Sequence, residues 1–233
     1  MKTMKKSLTI VAMTIVLSLT ATGCGQKLAP ADQTIGALFE LVGKNNAAPM
    51  TELLGFASEQ ETISSFIEDA EDLSMAAIVT EAVEGAGIEI SESDKSELIQ
   101  VMTDIEKKIS YTAEITSESS NAVEVTLHVK GYRLDDITDI VTNSFNGMME
   151  SITEEDLEAI QNGDMDLYKQ YTDQFVKDYI AGLKELTINP ETIDIVVSCE
   201  KLSVEAESGN KVAWLPTNMN KFATDVSDAI LQE

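Results

Sequence analysis

The sequence predicts an α+β fold: an antiparallel sheet of two hairpins, about four strands, packed with helices, with a helical N-terminal part and a C-terminal helix. Three observations predict it. Apolar residues recur at helical spacing from Pro30 to Ile109, the period falls to two at Ile109 and again at Ile193, and helical spacing returns from Met219 onward.

The elements follow in order. Pro30 stands at a first helical position, where its missing N–H costs nothing, and Ile35, Leu38, Phe39 and Val42 recur at i, i+3, i+4 and i+7 until Gly43-Lys44-Asn45-Asn46 stops the run. A second short helix holds Met50 to Leu54. Ser58-Glu59-Gln60-Glu61 has capping-box spacing, in which Ser58 and Glu61 satisfy each other's free amides. It predicts a helix to about Val83, with Ile63, Phe66, Ile67, Ala70 and Leu73 as its apolar stripe. Gly85 and Gly87 break that helix, and a start at Ser93 or Asp94 leads into Leu98, Met102, Ile105 and Ile109.

From Ile109 the alternation changes. Ile109, Tyr111, Ala113 and Ile115 share one face, SESSN makes a turn, and Val123, Val125, Leu127 and Val129 share the next, which predicts an antiparallel hairpin. Helix resumes near Leu134 and breaks around Ser151. Thr153-Glu154-Glu155-Asp156 is a second capping box, and Tyr168, Tyr171, Phe175, Tyr179 and Leu183 carry a further helix beyond Asn162-Gly163. Asn189-Pro190 ends it. Ile193, Ile195, Val197 and Cys199 have one parity and Leu202, Val204 and Ala206 the other, which predicts a bulge near Glu200-Lys201. Ser208-Gly209-Asn210 turns into a short strand, Val212 to Leu215, stopped by Pro216. Met219, Phe222, Val226 and Ile230 then form the stripe of the last helix.

Residues 1–23 read as a targeting segment. Lys2, Lys5 and Lys6 form a basic head, Leu8 to Leu19 an apolar core, and Ala21, Thr22 and Gly23 a small-residue end; about 20 apolar residues would be needed to span a bilayer. The next residue is a cysteine, and Ala21-Thr22-Gly23-Cys24 resembles the bacterial lipoprotein lipobox, with Ala21 where Leu is most usual. The resemblance implies cleavage by signal peptidase II between Gly23 and Cys24 and a diacylglycerol on the Cys24 thiol. Two acyl chains hold a protein stably on a membrane where one does not. The expected organisation is a lipoprotein signal peptide (1–23), a tether (24–29) and a single α+β domain (30–233). Within that domain, 30–108 are helical and 109–233 run hairpin, helices, hairpin, helix. The expected address is the extracytoplasmic face of the cell membrane.

The motifs APADQTIGALFELVGKNN, NAVEVTLHVKGY and KLSVEAESGNKVAWLP resemble Gram-positive lipoproteins with a nuclear-transport-factor-2-like, or cystatin-like, α+β fold. The first matches their opening helix and the other two their paired strands, the last with its turn, Lys and Trp. The resemblance implies a fold and an address but no reaction. Enzymes on that fold use a carboxylate base and a tyrosine donor in a cone-shaped pocket, and it puts Tyr168, Tyr171 and Tyr179 forward as possible lining for one. Their spacing is equally that of a core stripe.

Charge and composition narrow the chemistry. The chain has 16 basic and 41 acidic residues, a net charge of −25. Removing 1–23 removes three lysines and no acid. Such a surface repels nucleic acid and anionic headgroups over the roughly 8 Å that charge reaches at physiological salt, so nucleic acid is excluded as a partner. The charge suits a cationic partner or weakly held divalent ions, although solubility alone accounts for it. One histidine, His128, rules out sites built from two or more, and it sits with Glu124, Thr126 and Lys130 on the polar face of its strand. No GxSxG, Walker or GxGxxG motif occurs, Asp164 and Asp166 match only a fragment of a calcium loop, and no metal or cofactor is expected. Asp135-Asp136 and Glu154-Glu155-Asp156 fall at predicted helix starts, where carboxylates complement the dipole. Cys199, left single once Cys24 carries lipid, reads as a small buried hydrophobe. The expected function is a membrane-anchored, non-enzymatic module binding a small ligand or an envelope protein. The alternative is an enzyme using a buried carboxylate and tyrosine.

Overall fold

The computed structural model describes residues 28–67, 75–85 and 87–232. Five helices come first: α1 (Ala31–Lys44), α2 (Ala48–Leu54), α3 (Glu59–Phe66), α4 (Met75–Gly85) and α5 (Glu92–Lys108). The hairpin β1 (Ser110–Glu118) and β2 (Ala122–Lys130) leads to β3 (Tyr132–Arg133), then to α6 (Leu134–Ser151), α7 (Glu154–Gln161) and α8 (Met165–Lys184). The chain closes with β4 (Ile193–Val204), β5 (Lys211–Pro216), α9 (Met219–Ile230) and β6 (Leu231–Gln232). Four strands form one antiparallel sheet in the order β1-β2-β4-β5, so the two expected hairpins join through β2 and β4. The fold is α+β.

The chain gathers into two compact units. One is made from the described part of Met1–Glu71 with Ser110–Gly131 and Pro190–Leu231. It holds the sheet. Val125 opposes Val197 and Leu127 opposes Ile195, all buried, and α1 lays Ile35, Leu38 and Phe39 on this layer with no exposed surface. Each such side chain removed from water contributes roughly 1.5–3 kcal/mol, so the apolar layer holds α1 far more firmly than helix propensity does. Phe39 also packs on the Tyr111 ring, with centroids 4.5 Å apart. Burial pushes the Tyr111 hydroxyl up to about 12. The α9 stripe seats as expected: Met219, Phe222, Val226 and Ile230 are all buried.

Two glycines set the depth of α9. A Cβ on Gly131 would lie 2.3 Å from the Ile230 carbonyl oxygen, and one on Gly43 would lie 2.9 Å from Ile230 Cδ1. Backbone meets backbone at the first position, and helix meets helix at the second.

The other unit comprises the described part of Asp72–Ile109 with Tyr132–Asn189 and Gln232–Glu233. Here α5 buries Leu98, Val101, Met102 and Ile105, and α8, packed on it, buries Phe175, Val176, Tyr179, Ile180 and Leu183. Tyr132 is fully buried, and its hydroxyl donates to the Ile105 carbonyl at 3.0 Å. That bond satisfies the one polar atom the ring carries into the core.

Several local expectations are corrected. Pro30 is the N-cap of α1, not its first residue, because its carbonyl already accepts the Thr34 amide and hydroxyl. The helix that begins after Ser58 stops at Phe66, with Ile67 extended. Ser64 and Ser65 are weak helix formers, and the Ser64 hydroxyl donates back to the Glu61 carbonyl at 3.1 Å. Ala70 and Leu73 lie outside the described residues. α5 is capped by Ser91, whose Oγ accepts the Asp94 amide and donates to the Asp94 carboxylate, so Asp94 is a third-position partner and not a cap. The bulge expected in β4 is absent: pairing runs unbroken from Cys199 opposite Pro216 to Val204 opposite Lys211. The buried parity changes without an insertion, and at the change Lys201 is exposed with its Nζ 4.7 Å from the centre of the Trp214 ring. The bulge lies instead in β1, between Ile115 and Ser117.

Gly131→Ala is expected to destabilise the sheet unit by about 1–3 kcal/mol, read as a lower urea midpoint. Gly147→Ala, whose added Cβ meets nothing within 4 Å, is the control and leaves the midpoint equal or higher.

Candidate functional site

The helix α6 carries Ile137, Ile140, Val141, Phe145, Met148 and Met149, an apolar arc wider than one packing contact needs. Asp135 and Asp136 occupy its first turn, as expected. One edge of the arc is used. α6 packs on α8, where a Cβ on Gly182 would lie 2.6 Å from Ile140 Cγ2, and Ser144 is buried with its hydroxyl donated to the Ile140 carbonyl. The other edge is left in water: Val141 is 40% exposed, Phe145 50% and Met149 47%. These three recur every fourth residue, one per turn. In the same unit, Leu157 on α7 and Met165 at the start of α8 are 45% and 65% exposed. A single exposed hydrophobe is ordinary, whereas an aligned row on one helix is a candidate interaction surface.

The three tyrosines of α8 have separate surroundings. Tyr171 donates its hydroxyl to Asp156 Oδ2 at 2.7 Å and lies 3.3 Å from the Ser151 carbonyl, tying α8 to the corner between α6 and α7. Thr153 and Asp156 form the expected capping box. The Thr153 hydroxyl, then the Tyr171 hydroxyl, hold the Asp156 carboxyl below its usual range, and the Asp156 carboxylate raises the Tyr171 hydroxyl in turn. Tyr179 is buried and stacks on Phe175 with ring centroids 6.2 Å apart and planes 3° from parallel. Tyr168 is half-buried, 3.5 Å from the Gly87 carbonyl. Asp164 is the N-cap of α8, accepting the Leu167 amide. Cys24 and Gly23 lie outside the described residues.

In the sheet unit a cleft of about 380 Å³ is lined by Glu61, Ser64, Ser65, Glu205, Ala206, Glu207 and Asn210. Its walls are polar. Glu61 is not the reciprocal capping partner of Ser58 that the spacing implies. Ser58 Oγ accepts the Glu61 amide, but the Glu61 carboxylate accepts the amides of Ala57 at 2.6 Å and Ser208 at 2.5 Å. The Ser208 and Ala57 amides hold this carboxyl below its usual range. Its role is to pin the turn between β4 and β5 onto the start of α3.

His128 was expected on the polar sheet face, and it is there, with two partners that its own strand does not reveal. Nδ1 lies 2.6 Å from Asp194 Oδ1 on β4, and Nε2 lies 3.4 Å from Glu114 Oε1 on β1. The hydrogen bond to Asp194, then that to Glu114, raises the imidazole above its ordinary value of 6.5. The ring therefore bridges three strands, and protonation strengthens both contacts. Among the described residues, no group of three or more His, Cys, Asp or Glu is arranged to hold a metal ion. Cys199 is free and fully buried, and burial pushes its thiol up to about 12, which suits a packing residue.

Sequence periodicity contained the α6 row but not its exposure, since the same arc would serve a buried helix. The clasp at His128 and the Glu61–Ser208 bond join residues 66 and 147 positions apart, for which the sequence carries no local signal.

No family model matches the chain, and no curated protein matches it. A solved structure from Bacillus subtilis, that of a candidate lipoprotein, YcdA, is similar at 15% identity with a TM-score of 0.47 over 87% of this chain. The chain spans 56% of that structure's length.

Because folding raises the His128 pKa, the clasp's contribution to stability is fully present below 6.5 and is lost as pH rises through the folded value. NMR titration of the imidazole should give a midpoint above 6.5, and Asp194→Asn should move it down toward that value. A midpoint unchanged by Asp194→Asn would refute the clasp.

Proposed function

We propose that this chain is an extracytoplasmic lipoprotein, anchored by diacylglycerol on Cys24 after cleavage behind Gly23, whose folded part is a non-enzymatic binding module of the cell envelope. The anchor rests on Ala21-Thr22-Gly23-Cys24 behind a basic head and an apolar run. No helix among the described residues is long and apolar enough to cross a membrane. The nuclear-transport-factor-2-like resemblance belongs to the same reading, supported by α1 lying on antiparallel strands.

The observation that carries the binding role is the exposed row Val141, Phe145 and Met149 on α6. Keeping three large apolar side chains aligned in water forfeits hydrophobic stabilisation that a partner would restore. The enzymatic alternative needs an apolar-walled pocket around an ionisable group. The cleft beside Glu61 has polar walls, and Tyr168, Tyr171 and Tyr179 are not among its lining residues.

Labelled palmitate should be incorporated by the wild-type chain, and Cys24→Ala should abolish incorporation and leave the precursor uncut. Label retained in that variant would overturn the anchor. Photocrosslinkers placed at Val141 on intact cells should capture a defined partner. Capture of none, with a metabolite bound by the isolated chain instead, would overturn the reading of the row as a protein-binding surface.

A further inference from the structure

We propose that the α6 row seats a cationic amphipathic segment, a stretch of chain presenting apolar side chains flanked by Lys or Arg; this rests on the binding role above and names its partner class. The row lies in a strongly acidic stretch of the chain. Between Arg133 and Lys169 the chain carries ten carboxylates and no Lys, Arg or His. Asp156 is engaged by Thr153 and Tyr171, Asp164 caps α8, and Asp135 lies 3.6 Å from Arg133. Asp136, Asp139, Glu150, Glu154, Glu155 and Glu158 have no cation within ion-pair distance among the described residues.

An apolar row carried by a stretch of chain with acids and no cations discriminates between occupants. A second copy would bring the same carboxylates against themselves, and like charges facing each other oppose docking. A bilayer rich in anionic headgroups is repelled for the same reason. A cationic amphipathic segment satisfies both features at once: its apolar face covers Val141, Phe145 and Met149, and its cations meet the flanking acids. The row spans eight residues of helix, about 12 Å, which two turns of a partner helix cover. Met148, Met149 and Met165 supply the adaptable thioethers that suit a surface accepting varied apolar side chains.

The test uses the full mature chain and three synthetic peptides of equal length: alternating-face Leu–Lys, Ser–Lys of the same charge, and Leu–Glu. Fluorescence anisotropy should show the Leu–Lys peptide bound at least about tenfold more tightly than either other peptide, with affinity falling as salt rises. The double variant Phe145→Ser/Met149→Ser, altered only at exposed positions, should lose about tenfold for Leu–Lys and leave Ser–Lys unchanged. Val212→Ser, exposed in the other unit, should change neither. Equal binding of Leu–Lys and Ser–Lys, or insensitivity to the double variant, would overturn the proposal as mere attraction to an acidic protein. So would row-dependent self-association in sedimentation, or row-dependent binding to phosphatidylglycerol vesicles. If the peptides fail while the double variant still abolishes the cellular crosslink, the partner class is wrong and the binding role stands. If the crosslink survives the double variant, the binding role falls as well.

Discussion

Everything in the sheet unit depends on one place where two backbones touch. At Gly131 the end of β2 runs so close to the last turn of α9 that a methyl group would sit 2.3 Å from a carbonyl oxygen. That approach brings Val226, Ala229 and Ile230 into the sheet's apolar layer, and Gly43 lets α1 close over the same helix. Interior packing near crystalline density leaves no slack to absorb a side chain there. The hydrophobic layer then does the stabilising, and the polar devices only fix its edges: Asn45 ends α1 in a left-handed conformation, and Glu61 pins a distant turn.

The acidic residues divide by what they do. Some are structural in the ordinary way: at helix starts, where the dipole also favours them, the Asp156 and Asp164 carboxylates accept free amides and the Asp94 carboxylate accepts the Ser91 hydroxyl. Asp194 and Glu114 hold the His128 ring across strands, and Glu97 meets Lys184 between α5 and α8. Exposed pairs of this kind add little stability but do set geometry. Others, among them Asp139, Glu150 and Glu158 on α6 and α7, lie outside the first turns and pair with no cation among the described residues. Solubility explains a net charge; it does not explain why cations are absent from one 35-residue stretch that also exposes its hydrophobes.

Much of the fold was legible because helices and strands announce their period. α1, α5, α8 and α9 bury most of the residues that recur at three and four, with Val42, Tyr168 and Tyr171 half-buried, and Thr153-Glu154-Glu155-Asp156 caps its helix as the spacing implies. Legibility failed where a distant group outbid a local one. Glu61 has the right spacing to close on Ser58 but takes the Ser208 amide instead, and the parity change in β4 occurs with its pairing to β5 unbroken. The gathering of helices into two units was hidden for a related reason: an amphipathic stripe records that a helix packs, not what it packs on. The candidate surface sits at the same limit. Ile137 to Met149 reads as a buried face until α8 is seen to cover only the side near Ile140.

An exposed apolar row is ordinarily a liability, since two copies can bury their rows against each other. Here the charge that selects a partner also protects the free protein. Carboxylates beside Val141, Phe145 and Met149 in the chain make a copy-to-copy encounter repulsive at contact distances, where a screening length of roughly 8 Å leaves the interaction effective. The same field leaves a cationic partner attracted. Tyr171 completes the arrangement mechanically, because its bonds to Asp156 and the Ser151 carbonyl fix the corner between α6 and α7. A row held on a braced helix loses less conformational entropy when covered than one on a free helix. Apolar contact, acidic setting and rigid corner thus act in the same direction, and removing any one of them would weaken docking without disturbing the sheet.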